Sequence, residues 1–121
     1  MTIEVVRPPL REFGDVLFNV NRSDLGPNAI NILNAVLREL NDRPTVRLLL
    51  EGHASDEGSA AYNKALGERR AAAVRNYLVT RGLNPARLGT ISYGEERPRA
   101  DGSQAEARRL SRRVVLVIEG Q

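Results

Sequence analysis

Cysteine is absent from this chain of 121 residues, so neither a disulfide staple nor thiol chemistry is available to it, an absence compatible with any compartment. Aromatic residues are few, three tyrosines and two phenylalanines, which leaves little surface for stacking nucleic-acid bases. Lysine is nearly missing as well: every basic residue except Lys64 is arginine. Histidine occurs once, at His53, and with no cysteine to join it a metal site made of protein ligands alone would have to rest on carboxylates, so no metal is expected. No run of apolar residues approaches the length of a membrane span, and the start, MTIEVVRPPL, lacks the apolar core of a signal peptide. A nucleophile–base–acid set, a phosphate loop and a Gly-rich dinucleotide fingerprint are all missing, Gly52 and Gly58 being too isolated for either loop. The adjacent acids Asp56-Glu57 and Glu95-Glu96 read as solvated turns, because neighbours on a loop seldom converge on one substrate. Neither catalysis nor a cofactor is expected.

What remains is enough for one compact unit. The length is that of a single domain, and 41% hydrophobic residues can supply one core. The net charge of +3 and the close set Arg108, Arg109, Arg112 and Arg113 would ordinarily raise nucleic-acid binding. Acids are interspersed among them and no nucleic-acid motif is present, so the arginines read as solvated faces and ion pairs, with no nucleic-acid partner.

Hydrophobic periodicity gives strands alternating with helices. Val16 to Val20 reads as a short strand. Pro27 opens a helix with Ile30, Leu33, Val36, Leu37 and Leu40 at helical spacing, stopped by Asp42-Arg43-Pro44. Val46 to His53 is a strand with Val46, Leu48 and Leu50 on one face and Arg47, Leu49, Glu51 and His53 on the other. A long helix runs from about Ser59 to Arg81 and ends at Gly82. Leu88 to Tyr93 forms a third strand after the Asn84-Pro85 turn, Ser103 to about Leu110 a short polar helix, and Arg113 to Ile118 an inner strand, nearly continuous in apolar content. The order βαβαβ(α)β implies an α/β (α+β) sandwich with helices packed on one face of a mixed four-stranded sheet. Residues 1–14 are an N-terminal extension and 15–119 the domain.

The long helix carries the most informative residue. Projected at about 100° per residue, Tyr62, Leu66, Ala73, Val74 and Tyr77 form an apolar stripe with Arg70 near its middle. A buried guanidinium without a partner costs several kcal/mol, so Arg70 must reach a protein carboxylate, a solvent-filled groove or a bound anion, or else snorkel past the edge of the stripe to water or pair internally. Arg69 projects further toward the rim. His53 reads as structural, hydrogen-bonded within the loop it starts.

The stretch Gly52-His53-Ala54-Ser55-Asp56-Glu57-Gly58-Ser59, followed by Tyr62-Asn63, Leu66, Glu68-Arg69-Arg70-Ala71 and Val74, resembles the signature of OmpA-like peptidoglycan-binding domains, nearest to the peptidoglycan-associated lipoprotein branch. Leu17-Phe18-Asn19-Val20-Asn21 upstream, and Tyr93-Gly94-Glu95-Glu96-Arg97-Pro98 and Ser111-Arg112-Arg113-Val114 downstream, extend the resemblance to residues 15–118. It implies a noncatalytic domain that grips the free, zwitterionic end of diaminopimelate in the wall peptide and tethers an envelope protein to peptidoglycan. It implies a periplasmic location, outer-membrane association through segments absent from this chain, and envelope partners of a Tol-like system. The chain would then be either a domain cut from a longer exported protein or a mature form with a replacement Met1. By motif position Arg70 corresponds to the arginine that receives the ligand carboxylate, two-pronged in a way lysine could not reproduce. Ser55, Asp56, Asn63, Phe18, Asn19, Ser111 and Arg112 complete the site the resemblance implies.

Three departures bear on that site. The family's usual aspartate two places after the histidine, which receives the ligand ammonium, is Ser55 here, with an acid one place later at Asp56. Ser111 replaces the asparagine of an Asn-Arg-Arg triplet, and Asn19 and Asn21 stand where aspartates are frequent. Exchanging a charge-assisted hydrogen bond of about 1.5–3 kcal/mol for a neutral one of about 1 weakens binding by about tenfold or more. Either Asp56 swings into the missing role, or the domain binds an amidated or otherwise altered wall peptide, or it has kept the fold as an interaction or structural module.

Overall fold

Proline at the first helical position and glycine before it start α1, Pro27–Asn41, without a side-chain cap. Ala29, Leu33, Val36 and Leu40 recur on its inner face and are buried, with Leu37 packed at the edge. The second helix, α2, Ala60–Thr80, is capped by Ser59, whose hydroxyl accepts from the Tyr62 amide at 3.1 Å. It ends where Gly82 takes a φ of +105°: the Gly82 amide donates to Val79 and the Leu83 amide to Leu78, the paired bonds of a left-handed glycine stop. The computed structural model describes residues 13–98 and 104–119. The proposed extension, residues 1–14, therefore falls outside the described residues except for Phe13 and Gly14, as does Ser103.

Four strands make one mixed sheet: β1 Val16–Leu17, β2 Arg47–His53, β3 Leu88–Gly94 and β4 Arg113–Glu119, in the spatial order β1-β4-β2-β3. The inner strand β4 runs antiparallel to β1 and β2, while β3 is parallel to β2 and is reached through α2. A third helix, α3, Gln104–Ser111, connects β3 to β4. Val46, Leu48, Leu50, Val114 and Leu116 on one side of the sheet form a single core with the inner faces of α1 and α2. Leu49, Val115 and Val117 on the other side are only half-buried. This is the expected sandwich, with one strand shorter than expected. Val16 to Val20 does not run through as a strand, because Asn21 adopts a φ of +59° and the Arg22 amide closes a turn onto the Asn19 carbonyl at 3.1 Å.

Two glycines fix how α2 lies on the sheet. A Cβ on Gly52 of β2 would come within 2.6 Å of the Gly67 carbonyl carbon, so helix and strand backbones touch there with no side chain between them. That contact rotates the buried stripe of α2 away from the expected one: Asn63, Leu66, Gly67, Arg70, Ala71, Val74 and Leu78 face inward, and Tyr62 is 39% exposed. Just beyond Gly52 the β2–β3 register slips, His53 pairing with Gly94.

Candidate functional site

Arg70 lies in the middle of the buried stripe with no solvent-accessible area. Its guanidinium meets three backbone carbonyls from separate segments: Nε donates to Arg22 at 2.8 Å, Nη1 to His53 at 3.0 Å and Nη2 to Asn19 at 3.0 Å. The Phe18 ring lies 5.3 Å from its Cζ. No carboxylate of the described residues pairs with it. Burial, followed by the neighbouring Arg112 charge, lowers its pKa to about 10, so it stays a cation at neutral pH. Of five guanidinium N–H groups the carbonyls take three, leaving one on each terminal nitrogen.

Above this buried cation is an open cleft of about 580 Å³, walled by Val20 and Asn21 on one side and by Tyr62, Asn63 and Leu66 of α2 on the other, with Arg70 beneath. Ser55, Glu57 and Arg112 close its rim. These last three form a chain of contacts. The Ser55 hydroxyl donates to Glu57 Oε1 at 2.5 Å, and Arg112 Nη1 donates to the same oxygen at 3.2 Å while its Nε holds the Phe18 carbonyl at 3.1 Å. The fixed charges lining the cleft are thus Arg70, Arg112 and Glu57, which leaves it one positive charge in excess. As folded, the guanidinium of Arg70 acts on the cleft through its field. Direct contact with a ligand requires its surroundings to move, since it has no exposed surface.

A model of the OmpA family matches residues 17–112. The chain belongs to the OmpA family. It is 43% identical to the peptidoglycan-associated lipoprotein of Pseudomonas putida over 107 residues, covering 88% of this chain and 64% of that protein. Against the peptidoglycan-associated lipoprotein of Haemophilus influenzae the identity is 39%, over 88% of this chain and 69% of the relative. The chain thus spans just under two thirds of the length of the P. putida relative. Among solved structures, the peptidoglycan-associated lipoprotein from Burkholderia pseudomallei superposes with a TM-score of 0.82 at 30% identity, covering 87% of this chain and 89% of that one. The C-terminal domain of Helicobacter pylori MotB shares the fold, with a TM-score of 0.81 at 22% identity over 90% and 86% of the two chains.

Within this OmpA-family fold the residues named from sequence divide between three places. Arg70, Ser55, Asn63 and Arg112 come together around the cleft. Phe18 is buried beneath the guanidinium, and Asn19 supplies a carbonyl while its side chain lines a neighbouring depression beside the start of α1. Asp56 and Ser111 lie on a third depression against α3, where Asp56 pairs with Arg108 at 3.2 Å and the Ser111 hydroxyl donates to the Ala107 carbonyl at 2.7 Å. Asp56 does not swing toward the cleft. The acid that does line it, Glu57, was missed by counting positions from His53: Ser55 borders both the cleft and the depression against α3, Asp56 only the depression, and Glu57 only the cleft. Tyr62 was likewise not named for the site, whereas Asn21, one of the three departures, does line the cleft together with Val20.

The expectation for His53 needs correction. It is structural and 99% buried, but neither ring nitrogen finds a hydrogen-bond partner among the described residues; a Glu51 carboxylate oxygen is 3.7 Å from Nε2, and the Tyr93 ring centroid is 5.5 Å away. What His53 contributes to the loop is its main-chain carbonyl, held by Arg70. Burial first, then the charges of Arg113 and Arg97, push its pKa down to about 4, so the ring is neutral above that. Among the described residues no group of three or more His, Cys, Asp or Glu could hold a metal, and no helix is long and apolar enough to cross a membrane.

Proposed function

We propose that this domain binds peptidoglycan without catalysing its turnover, and so tethers an envelope protein to the cell wall. The observation that carries the reading is a buried guanidinium that no carboxylate of the described residues pairs with, beneath an open cleft whose lining has an excess positive charge. An anion entering that cleft gains the field of Arg70 in a setting of low dielectric and meets Arg112, whose Nε and Nη1 are engaged by Phe18 and Glu57 while Nη2 has no acceptor among the described residues. The carboxylate of a diaminopimelate-type stem peptide has the right charge and size, and the relatives named for their association with peptidoglycan support it. Phe18 and Asn19 act here as supports for Arg70, and Asn63 as a wall of the cleft. A periplasmic site of action, outer-membrane association through other parts of a longer protein and Tol-like envelope partners follow from the same reading.

A second reading is favoured by a specific observation. All three of the guanidinium nitrogens are already engaged by backbone carbonyls and none is exposed, so Arg70 also suits a purely structural role in a domain that has given up its ligand. Calorimetric titration with a diaminopimelate-containing stem peptide separates the two, with Arg112→Gln beside the wild type and circular dichroism as a control for folding. Saturable heat that Arg112→Gln weakens tenfold or more supports wall binding. A silent wild type sinks it and leaves the interaction module.

A further inference from the structure

The cleft holds a carboxylate that no sequence position assigned to it. Glu57 is the only acid lining the cleft among the described residues: Asp56 faces α3 and pairs with Arg108, and Glu95, which accepts from Asn63 Nδ2 at 3.4 Å, lines the depression against α3. Its geometry is that of a prepared acceptor. Both of its contacts, from the Ser55 hydroxyl and from Arg112, fall on Oε1. Oε2 meets no donor among the described residues, and the side chain is 35% exposed at the rim. One oxygen therefore anchors the carboxylate, and the other is left without a donor on a side chain that lines the cleft beside Arg112.

We propose that Glu57 is the residue that selects for a ligand ammonium, that Ser55 is the positioning residue that holds it, and that the cleft consequently takes an amino-acid zwitterion rather than a bare carboxylate. This rests on the wall-binding reading above and adds to it the part that the serine at position 55 had put in doubt. Ser55 does not replace a missing acid by accepting a weaker hydrogen bond. Its hydroxyl proton is spent on Glu57, and the negative charge is supplied from two residues further on. The arrangement also divides the work between the two charged rim groups: Arg112 faces the carboxylate of the ligand and Glu57 Oε2 its ammonium, while their mutual contact through Oε1 keeps both in place with the cleft empty.

Glu57→Gln tests this with little disturbance of the fold, because the amide oxygen can still accept from Ser55 and Arg112 while an NH2 group replaces Oε2 and repels an ammonium. Two stem peptides serve as probes, one with the free amine on its terminal diaminopimelate and one with that amine acetylated. The wild type should prefer the free amine by tenfold or more, Glu57→Gln should bring the preference to about one, and Ser55→Ala should reduce it in between. The same preference in Glu57→Gln as in the wild type would overturn the assignment, and so would an equal loss of affinity for both peptides, the mark of a merely structural role. If the wild type binds neither peptide, the wall-binding reading fails and this one with it; if it binds both alike, only the role of Glu57 fails.

Discussion

Replacing Arg70 by lysine keeps the charge under the cleft and removes the fork that carries it. In the wild type each of three carbonyl oxygens, of Arg22 at 2.8 Å and of His53 and Asn19 at 3.0 Å, is met by a different nitrogen. A lysine ammonium donates from one atom at the tip of an unbranched stem, so it can settle between two of these oxygens but not among all three. One or two charge-assisted hydrogen bonds at about 1.5–3 kcal/mol each are lost, giving a destabilisation of about 2–5 kcal/mol. Against a total of about 5–15 kcal/mol for a domain, that is a large fraction, and it corresponds to a fall in Tm of about 8–20 °C. Urea unfolding followed by circular dichroism at pH 7 measures it. Arg69→Lys is the control: Arg69 is exposed and lies over Tyr62 at 5.7 Å, and should change stability by no more than about 0.5 kcal/mol. If Arg70→Lys proves as stable as that control, the guanidinium does not tie the three segments together and the reasoning fails.

Other outcomes follow from the same geometry. Gly52→Ala should destabilise by about 3 kcal/mol or more and abolish stem-peptide binding, because its Cβ meets helix backbone that cannot rotate away; Gly67→Ala, whose Cβ first meets the Ser92 hydroxyl and comes only to 3.0 Å from the Gly52 oxygen, should cost less, as urea midpoints will show. His53, being the only histidine, can be titrated directly by NMR, and its ring should stay neutral until about pH 4. Because its folded pKa lies below its unfolded value of 6.5, the unfolded chain takes up the proton first; about 3 kcal/mol of stability drains away as pH falls from about 6.5 to about 4, and a ring titrating near 6.5 in the folded protein would contradict this. Asp56→Asn should leave stem-peptide affinity within about twofold in the same titration, since Asp56 faces α3 and its pair with Arg108 is exposed.

Elements with strong local signals were legible from the residues. Pro27 marks the start of α1 and Gly82 the end of α2 because each conformation is dictated by one residue's own backbone limits, and the apolar run of β4 marks an inner strand because both its faces are covered at least in part. The central place of Arg70 on the buried side of α2 was legible from spacing as well. What escaped depends on contacts between distant segments. The rotation of the α2 stripe comes from the meeting of Gly52 with Gly67, and the partners of Arg70 are main-chain atoms, whose positions no side-chain pattern encodes. Glu57 was overlooked because the resemblance fixes a distance along the loop, whereas the loop's twist decides which of two adjacent acids faces inward.

The three acceptors of Arg70 lie 17, 48 and 51 residues away along the chain. Only the nearest belongs to the β2–α2–β3 crossover, which can close over short loops; the other two arrive when the turn after β1 comes back from the far end of the chain, and loop closure over such separations is slow. The floor of the cleft is therefore finished late, after the helix and its two strands have docked. On the proposed wall-binding reading a half-folded chain has no finished site to offer, and a substitution at Arg70 should reveal itself chiefly as faster unfolding rather than slower refolding.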